Sequence, residues 1–151
     1  MKVTKPSDVE IVLTRTFAAP RPAVFAALTQ PEHLLRWLGT KEMTLGACVV
    51  DLRVGGALRY VFRRGRRDLE VRGVFTAVDP PERLAYTESY GFSPLVVQVA
   101  TTLEEVAGGT RFVQTLTYAS KAERDGDFDP VATSATESYA RLESHLAQNR
   151  R

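Results

Sequence analysis

Residues Asp129 to Asn149, DPVATSATESYARLESHLAQN, repeat apolar side chains with a helical period, and no other stretch constrains the chain as much. Val131, Ala135, Ser138, Leu142 and Leu146, with Tyr139 beside them, fall on one side; Glu137, Arg141, Ser144 and Gln148 fall on the other. Asp129 is placed to cap the N-terminus, and Pro130 suits the first helical position. Arg150 and Arg151 stand at the end where the helix dipole favours positive charge. Such a helix is roughly 30 Å long. Nearly everything before it alternates with period two. A helix with one apolar stripe has to bury it, and the pattern supplies a sheet as the partner. The expected architecture is therefore one long helix laid against a curved antiparallel sheet.

Residues 1–8 are polar and are expected to fray. Val9 to Ala18 (VEIVLTRTFA) alternates and is β-branched, a first strand with Val9, Ile11, Leu13 and Arg15 on one face. Ala19-Pro20 breaks it. Arg21 to Leu28 and Glu32 to Leu38 read as two short helices, the first with Pro22 in its opening turn, the second carrying Leu34, Leu35 and Trp37 and ended by Gly39. Six more strands follow: Cys48–Val54, Ala57–Arg63, Leu69–Val78, Arg83–Tyr90, Leu95–Val106 and Thr110–Ala119. Between them lie turns at Gly55-Gly56, Arg63–Arg67, Asp79-Pro80-Pro81-Glu82, Gly91–Pro94 and Ala107-Gly108-Gly109. Ser120 to Phe128 reads as a polar approach to the long helix. Connections of hairpin length imply antiparallel pairing. One helix, about 10 Å across with its side chains, fills a curved seven-stranded groove incompletely, so a cavity between helix and sheet is expected.

The 151 residues, 44% hydrophobic and 25% charged, fit one globular domain over 1–151. A net charge of +2 is too small to argue for nucleic acid. No run of 18 apolar residues occurs, which argues against membrane insertion, and MKVTKPSDVE lacks the apolar core of a signal peptide. A cytoplasmic location is the expectation. The single Cys48 excludes an internal disulfide and a multi-cysteine metal site. His33 and His145 are the only histidines, and no ligand spacing suggests a metal. No nucleophile elbow is present, and neither glycine pair precedes a helix that would bind phosphate. No cofactor is expected.

Several stretches resemble the START-like superfamily (SRPBCC), in particular the branch related to the activator of Hsp90 ATPase. They are TRTFAAPRPAVFAALTQPEHLLRWLG at Thr14 to Gly39, DLRVGG at Asp51 to Gly56, GVFTAVDPPERLAYT at Gly73 to Thr87, GGTR at Gly108 to Arg111, and ESYARLESHL at Glu137 to Leu146. The resemblance implies an α+β helix-grip fold of the Bet v 1-like kind: a curved seven-stranded antiparallel sheet wrapped around a long C-terminal helix, with two short helices between the first two strands. It also implies a mostly apolar cavity under that helix. The superfamily includes ligand carriers, polyketide cyclases and a co-chaperone domain. Where many relatives carry Trp-Trp-Gly-Pro, this chain has Trp37-Leu38-Gly39-Thr40; where many carry Gly-Trp in the long helix, it has Ser134-Ala135. Loss of an inward indole would enlarge or reshape the cavity.

Strand parity marks the inward rows: Leu58, Tyr60 and Phe62; Val71, Gly73 and Phe75; Leu84, Tyr86, Glu88 and Tyr90; Phe112, Gln114, Leu116 and Tyr118. The proposed ligand lining is Phe25, Trp37, Tyr60, Phe62, Phe75, Tyr86, Phe112, Gln114, Tyr139 and Leu142. Plain core packing is the alternative, and the two are compatible because a pocket wall is also core. Glu88 and Gln114 are polar members of apolar rows and need partners if buried. The favoured reading of Glu88 is a strand end that reaches solvent or an arginine. The sharper one is an inward carboxyl with a raised pKa, acting with Tyr60 or Tyr86 in proton transfer. Asp51 and Arg53 share a strand face and are expected to join a solvated charge network with Arg59, Glu70 or Arg72; the sharper reading is an anion-binding patch. His33 is expected to pack or cap locally, and the Arg63–Arg67 cluster to be a charged turn.

Three functions are weighed: binding of a small lipophilic or aromatic molecule, a cyclase- or hydrolase-like reaction in the same cavity, and a co-chaperone-like interaction module resting on the resemblance alone. Sheet-edge and helix-face homodimers are both compatible with the pattern.

Overall fold

Alternation with period two becomes strand almost wherever it occurs. The computed structural model describes residues 1–149. Its elements are β1 (Lys2–Thr4), β2 (Glu10–Phe17), α1 (Arg21–Thr29), α2 (Pro31–Trp37), β3 (Thr44–Val50), β4 (Ala57–Arg64), β5 (Arg67–Asp79), β6 (Arg83–Tyr90), β7 (Ser93–Val106), β8 (Gly109–Thr117) and α3 (Lys121–Gln148). The strands form one sheet in the order β1-β2-β8-β7-β6-β5-β4-β3, antiparallel at every pairing. The architecture is the helix-grip fold. Register shifts at Leu45/Ala47, Phe75/Ala77 and Ser89/Tyr90 bend the strands, as bulges do. At Gly73, on the inward row of β5, a Cβ would lie 1.9 Å from the Thr87 carbonyl oxygen, so this close approach of β5 to β6 needs glycine.

The sheet has eight strands rather than seven. The extra one, β1, lies where fraying was expected: Lys2–Thr4 pairs with Val12–Thr14 along the otherwise open edge of β2. An unpaired strand edge offers a row of backbone donors and acceptors, which recruits even a three-residue segment, with Val3 packed against the core. The segment after β1 is also tied down. Buried Arg124 donates to the Ser7 carbonyl, and the Lys5 ammonium lies 4.4 Å from the centre of the Phe128 ring.

The long helix starts at Lys121, not at Asp129. Its N-cap is Ser120, whose hydroxyl accepts from the Glu123 backbone N–H at 3.1 Å. Ser-x-x-Glu is the start signal of a capping box, and the helix runs through Pro130. At 28 residues α3 is about 42 Å long. Arg150 and Arg151, expected to favour its end, lie outside the described residues. Ser120→Ala should cost about 1 kcal/mol, the usual loss for an N-cap hydroxyl, read as a shift in the urea midpoint at constant slope.

Asp51 and Arg53 are not on a strand. β3 ends at Val50, and the two form an ion pair at 2.9 Å within the turn that closes by Asp51 N–H to the Ala57 carbonyl. Arg59 and Arg72 both reach Glu70 instead, on the solvated face, and their hydrogen bonds hold its carboxyl below the usual range. Exposed pairs of this kind add little stability.

The C-terminal half of α3 is clamped. Ser138 accepts from Gly39 N–H at 3.1 Å, Glu143 pairs with Arg15 at 2.7 Å, and His145 Nε2 lies 2.8 Å from His33 Nδ1. His33 therefore binds across to α3 rather than capping its own helix. Burial, with the charges of His33 and Arg36, pushes His145 below the ordinary histidine value. Phe17, Phe112, Trp37 and Tyr139 pack as one aromatic cluster, with Tyr139 at 4.8 Å from Phe112 and 5.6 Å from Trp37. The Trp37 indole N–H donates to the Ala27 carbonyl at 2.8 Å and locks α2 to α1. No helix among the described residues is long and apolar enough to cross a membrane.

Candidate functional site

α3 is tied near its start by Arg124 and Asp127, which meet Ser7 and Tyr118, and in its second half by the clamp; the stretch between stands over the bent sheet without filling it. A cavity of about 920 Å³ results. Its roof is α3 from Asp127 to Tyr139, and its floor is the inward rows of β4 to β8. Leu84, Val99 and Leu116 supply apolar floor; Leu28, Leu34 and Leu38 close the side toward α1 and α2. Lys41, Glu42, Arg64, Phe92, Asp129 and Glu137 are exposed and form the rim.

Of the residues marked from sequence, Trp37, Tyr60, Phe62, Tyr86, Gln114 and Tyr139 line this space. Phe25, Phe75, Phe112 and Leu142 do not; they are buried in the packed core. Ser134 lines the cavity, while its neighbour Ala135 is packed in the core. Gln114 is satisfied: its amide N–H donates to Thr101 at 3.0 Å, and its oxygen accepts from the Tyr139 hydroxyl at 3.1 Å.

Glu88 faces the cavity, which corrects the expectation of a solvent-facing or arginine-paired side chain. It sits at a paired position, opposite Val97 of β7, and not at a frayed strand end. Its partner is the Tyr90 hydroxyl, which donates to Oε1 at 2.7 Å. Burial pushes the Glu88 carboxyl above the usual carboxylate range; the Tyr90 hydrogen bond opposes this, and the Asp127 charge adds to it. The charge of Glu88 is felt in turn by the phenols of Tyr60, Tyr86, Tyr90, Tyr118 and Tyr139, all raised above the ordinary tyrosine value, by burial first.

Asp127 is the residue that sequence reasoning missed. It lines the cavity and accepts from the Tyr118 hydroxyl. The signal was present: from the Ser120 cap onward, Asp127, Val131, Ser134 and Ser138 recur at helical spacing on one face.

A carboxyl whose pKa is raised by folding costs stability whenever it is ionised. Below the ordinary value of 4.5 there is no penalty; as pH rises through the folded pKa the penalty is felt in full. Glu88→Gln should therefore raise Tm at pH 8 and leave it nearly unchanged at pH 4, where each kcal/mol moves Tm by roughly 2–4 °C in a chain of this size. A melting series from pH 4 to 8 checks this, and a lower Tm for the variant at pH 8 would contradict it.

A family model described as "Activator of Hsp90 ATPase homolog 1-like protein" matches residues 18–147. Among solved structures, a protein from Rhodobacter sphaeroides is 29% identical, with a TM-score of 0.92 over 99% of this chain and 100% of that one. A protein from Mycobacterium smegmatis is 24% identical, with a TM-score of 0.89 over 99% of each chain. An AHSA1-like protein from Aeromonas hydrophila is 19% identical, with a TM-score of 0.72 over 92% of each chain. The last two likenesses speak to fold alone. Comparison with curated proteins returned no match.

Proposed function

The chain belongs to the activator of Hsp90 ATPase homolog 1-like family, and from its cavity we propose that it binds a small lipophilic or aromatic molecule between the sheet and α3. The observation that carries this reading is an apolar, aromatic-walled space of about 920 Å³ between the bent sheet and α3. Ligand pockets run to about 300–1,000 Å³ and combine apolar walls with a few placed polar groups. Here the walls include Trp37, Tyr60, Phe62, Tyr86 and Tyr139, and the polar groups include Glu88, Gln114 and Asp127. The reading requires no catalysis.

A ligand that binds only the folded chain stabilises it by mass action, about 2.7 kcal/mol at a hundredfold excess over Kd. In a chain of this size that is a Tm rise of roughly 5–10 °C. A thermal-shift screen of hydrophobic and aromatic compounds, with native mass spectrometry on the hits, is expected to find such a rise at one-to-one stoichiometry. A broad panel that moves neither Tm nor Trp37 fluorescence would count against the proposal.

A further inference from the structure

Charge inside the cavity is one-sided. Glu88 and Asp127 both line it, and neither has a lysine, arginine or histidine partner among the described residues. Each is held by a single phenol, Tyr90 on Glu88 and Tyr118 on Asp127, which leaves most carboxylate lone pairs open. The cations among the lining residues, Lys41 and Arg64, are exposed at the rim, in company with three further carboxylates.

A second feature is independent of the acids. Tyr60 lines the cavity, is only 7% exposed, and its hydroxyl has no hydrogen-bond partner among the described residues. No fully enclosed side-chain N or O atom among the described residues lacks a partner, so this hydroxyl opens onto the cavity. The Tyr86 hydroxyl is unpartnered in the same way. Two half-buried acids and two open phenols thus surround a space with no countercharge in it.

Resting on the ligand-binding reading above, we infer that the ligand is an amphiphilic amine: an apolar or aromatic body that carries one ammonium group into the space between Glu88 and Asp127. An ammonium has three N–H donors and no acceptor. The two carboxylates and the phenol oxygen of Tyr60 accept those donors, and the surrounding aromatic rings offer their negative faces to the charge. The alternatives fit less well. An anionic ligand would bring a further negative charge beside two carboxyls that have no cationic partner. A neutral carbonyl would occupy the open phenols and leave both acids without a countercharge.

The test is calorimetric titration of the full chain at pH 7 with three compounds that share a naphthylethyl body and end in an ammonium, a hydroxyl or a carboxylate. The ammonium compound should bind about tenfold or more tighter than the alcohol, and the carboxylate should be weakest, since charge-assisted hydrogen bonds are roughly twice as strong as neutral ones. Glu88→Gln and Asp127→Asn should each shrink the advantage of the ammonium over the alcohol. An alcohol that binds as tightly as the ammonium, or an advantage untouched by both substitutions, overturns the amine assignment and leaves the cavity reading standing. Failure of the ammonium compound to bind while neutral or acidic members of the thermal-shift panel do bind overturns the amine assignment alone; only failure of the whole panel overturns the cavity reading with it.

Discussion

Trp37→Ala is expected to lower the free energy of unfolding by about 3–5 kcal/mol, the range for truncating a large buried aromatic. Against a total of about 5–15 kcal/mol for a domain, that is a fifth or more of the stability. Trp37 is 1% exposed and sits where three parts of the fold meet. Its indole N–H ties α2 to α1 through the Ala27 carbonyl, its ring packs on Tyr139 of α3, and its free side forms cavity wall. Truncation therefore opens the joint that holds α3 by its second half, as well as leaving a void. Urea denaturation at constant slope measures the loss. Trp37→Phe is the informative companion. It keeps most of the ring and removes the hydrogen bond, so it should cost about 1–3 kcal/mol, the price of an unsatisfied buried carbonyl. If Trp37→Ala cost less than the Phe variant, the joint would not be where α3 is held.

The same joint explains what could and could not be read from the amino-acid order. Strand parity placed the inward rows correctly because a period of two leaves no freedom: once Leu58 is inside, so are Tyr60 and Phe62. Parity says nothing about position along the row. Phe75 and Phe112 share inward rows with Tyr86 and Gln114 across the sheet, yet lie in packed core while the others meet the void. That outcome depends on where α3 crosses the sheet, which is set by the distant contacts of Ser138, Glu143 and His145.

The start of α3 was misread for a local reason. Asp129-Pro130 is a good N-terminal signal taken alone, and a proline inside a helix costs one backbone hydrogen bond. Ser120 and Glu123 form a competing signal, and tertiary anchoring lets the helix run on through Pro130. Extending the helix by two turns brings in Asp127, without which Glu88 looks like a lone acid. A polar residue in an apolar row more often reaches solvent or an arginine than a cavity, which favours that reading of Glu88 from sequence; pairing with Val97 of β7 keeps it inside the ladder instead. β1 was illegible in principle. Lys2–Thr4 has no pattern of its own, and its pairing is a property of the free edge beside it.

Filling the void should separate binding from folding. Ser134 is half-buried, lines the cavity from the roof, and has as its hydrogen-bond partner only the Val131 carbonyl of its own helix, at 3.5 Å. Ser134→Trp places an indole in space that the fold leaves empty. It should cost at most about 1–3 kcal/mol, the range for an enlarged side chain that has to find room. Any compound selected by the thermal-shift screen should lose about a hundredfold or more in affinity, equivalent to about 2.7 kcal/mol. Ser144→Trp is the control. Ser144 lies on the exposed face of the same helix, so the substitution should change neither affinity nor, by more than about 0.5 kcal/mol, stability. Circular dichroism confirms that both variants fold, and titration with the selected compound reads the difference. Equal affinity in the two variants would mean that the compound binds elsewhere on the protein, and the space beneath α3 would have to be explained without a ligand.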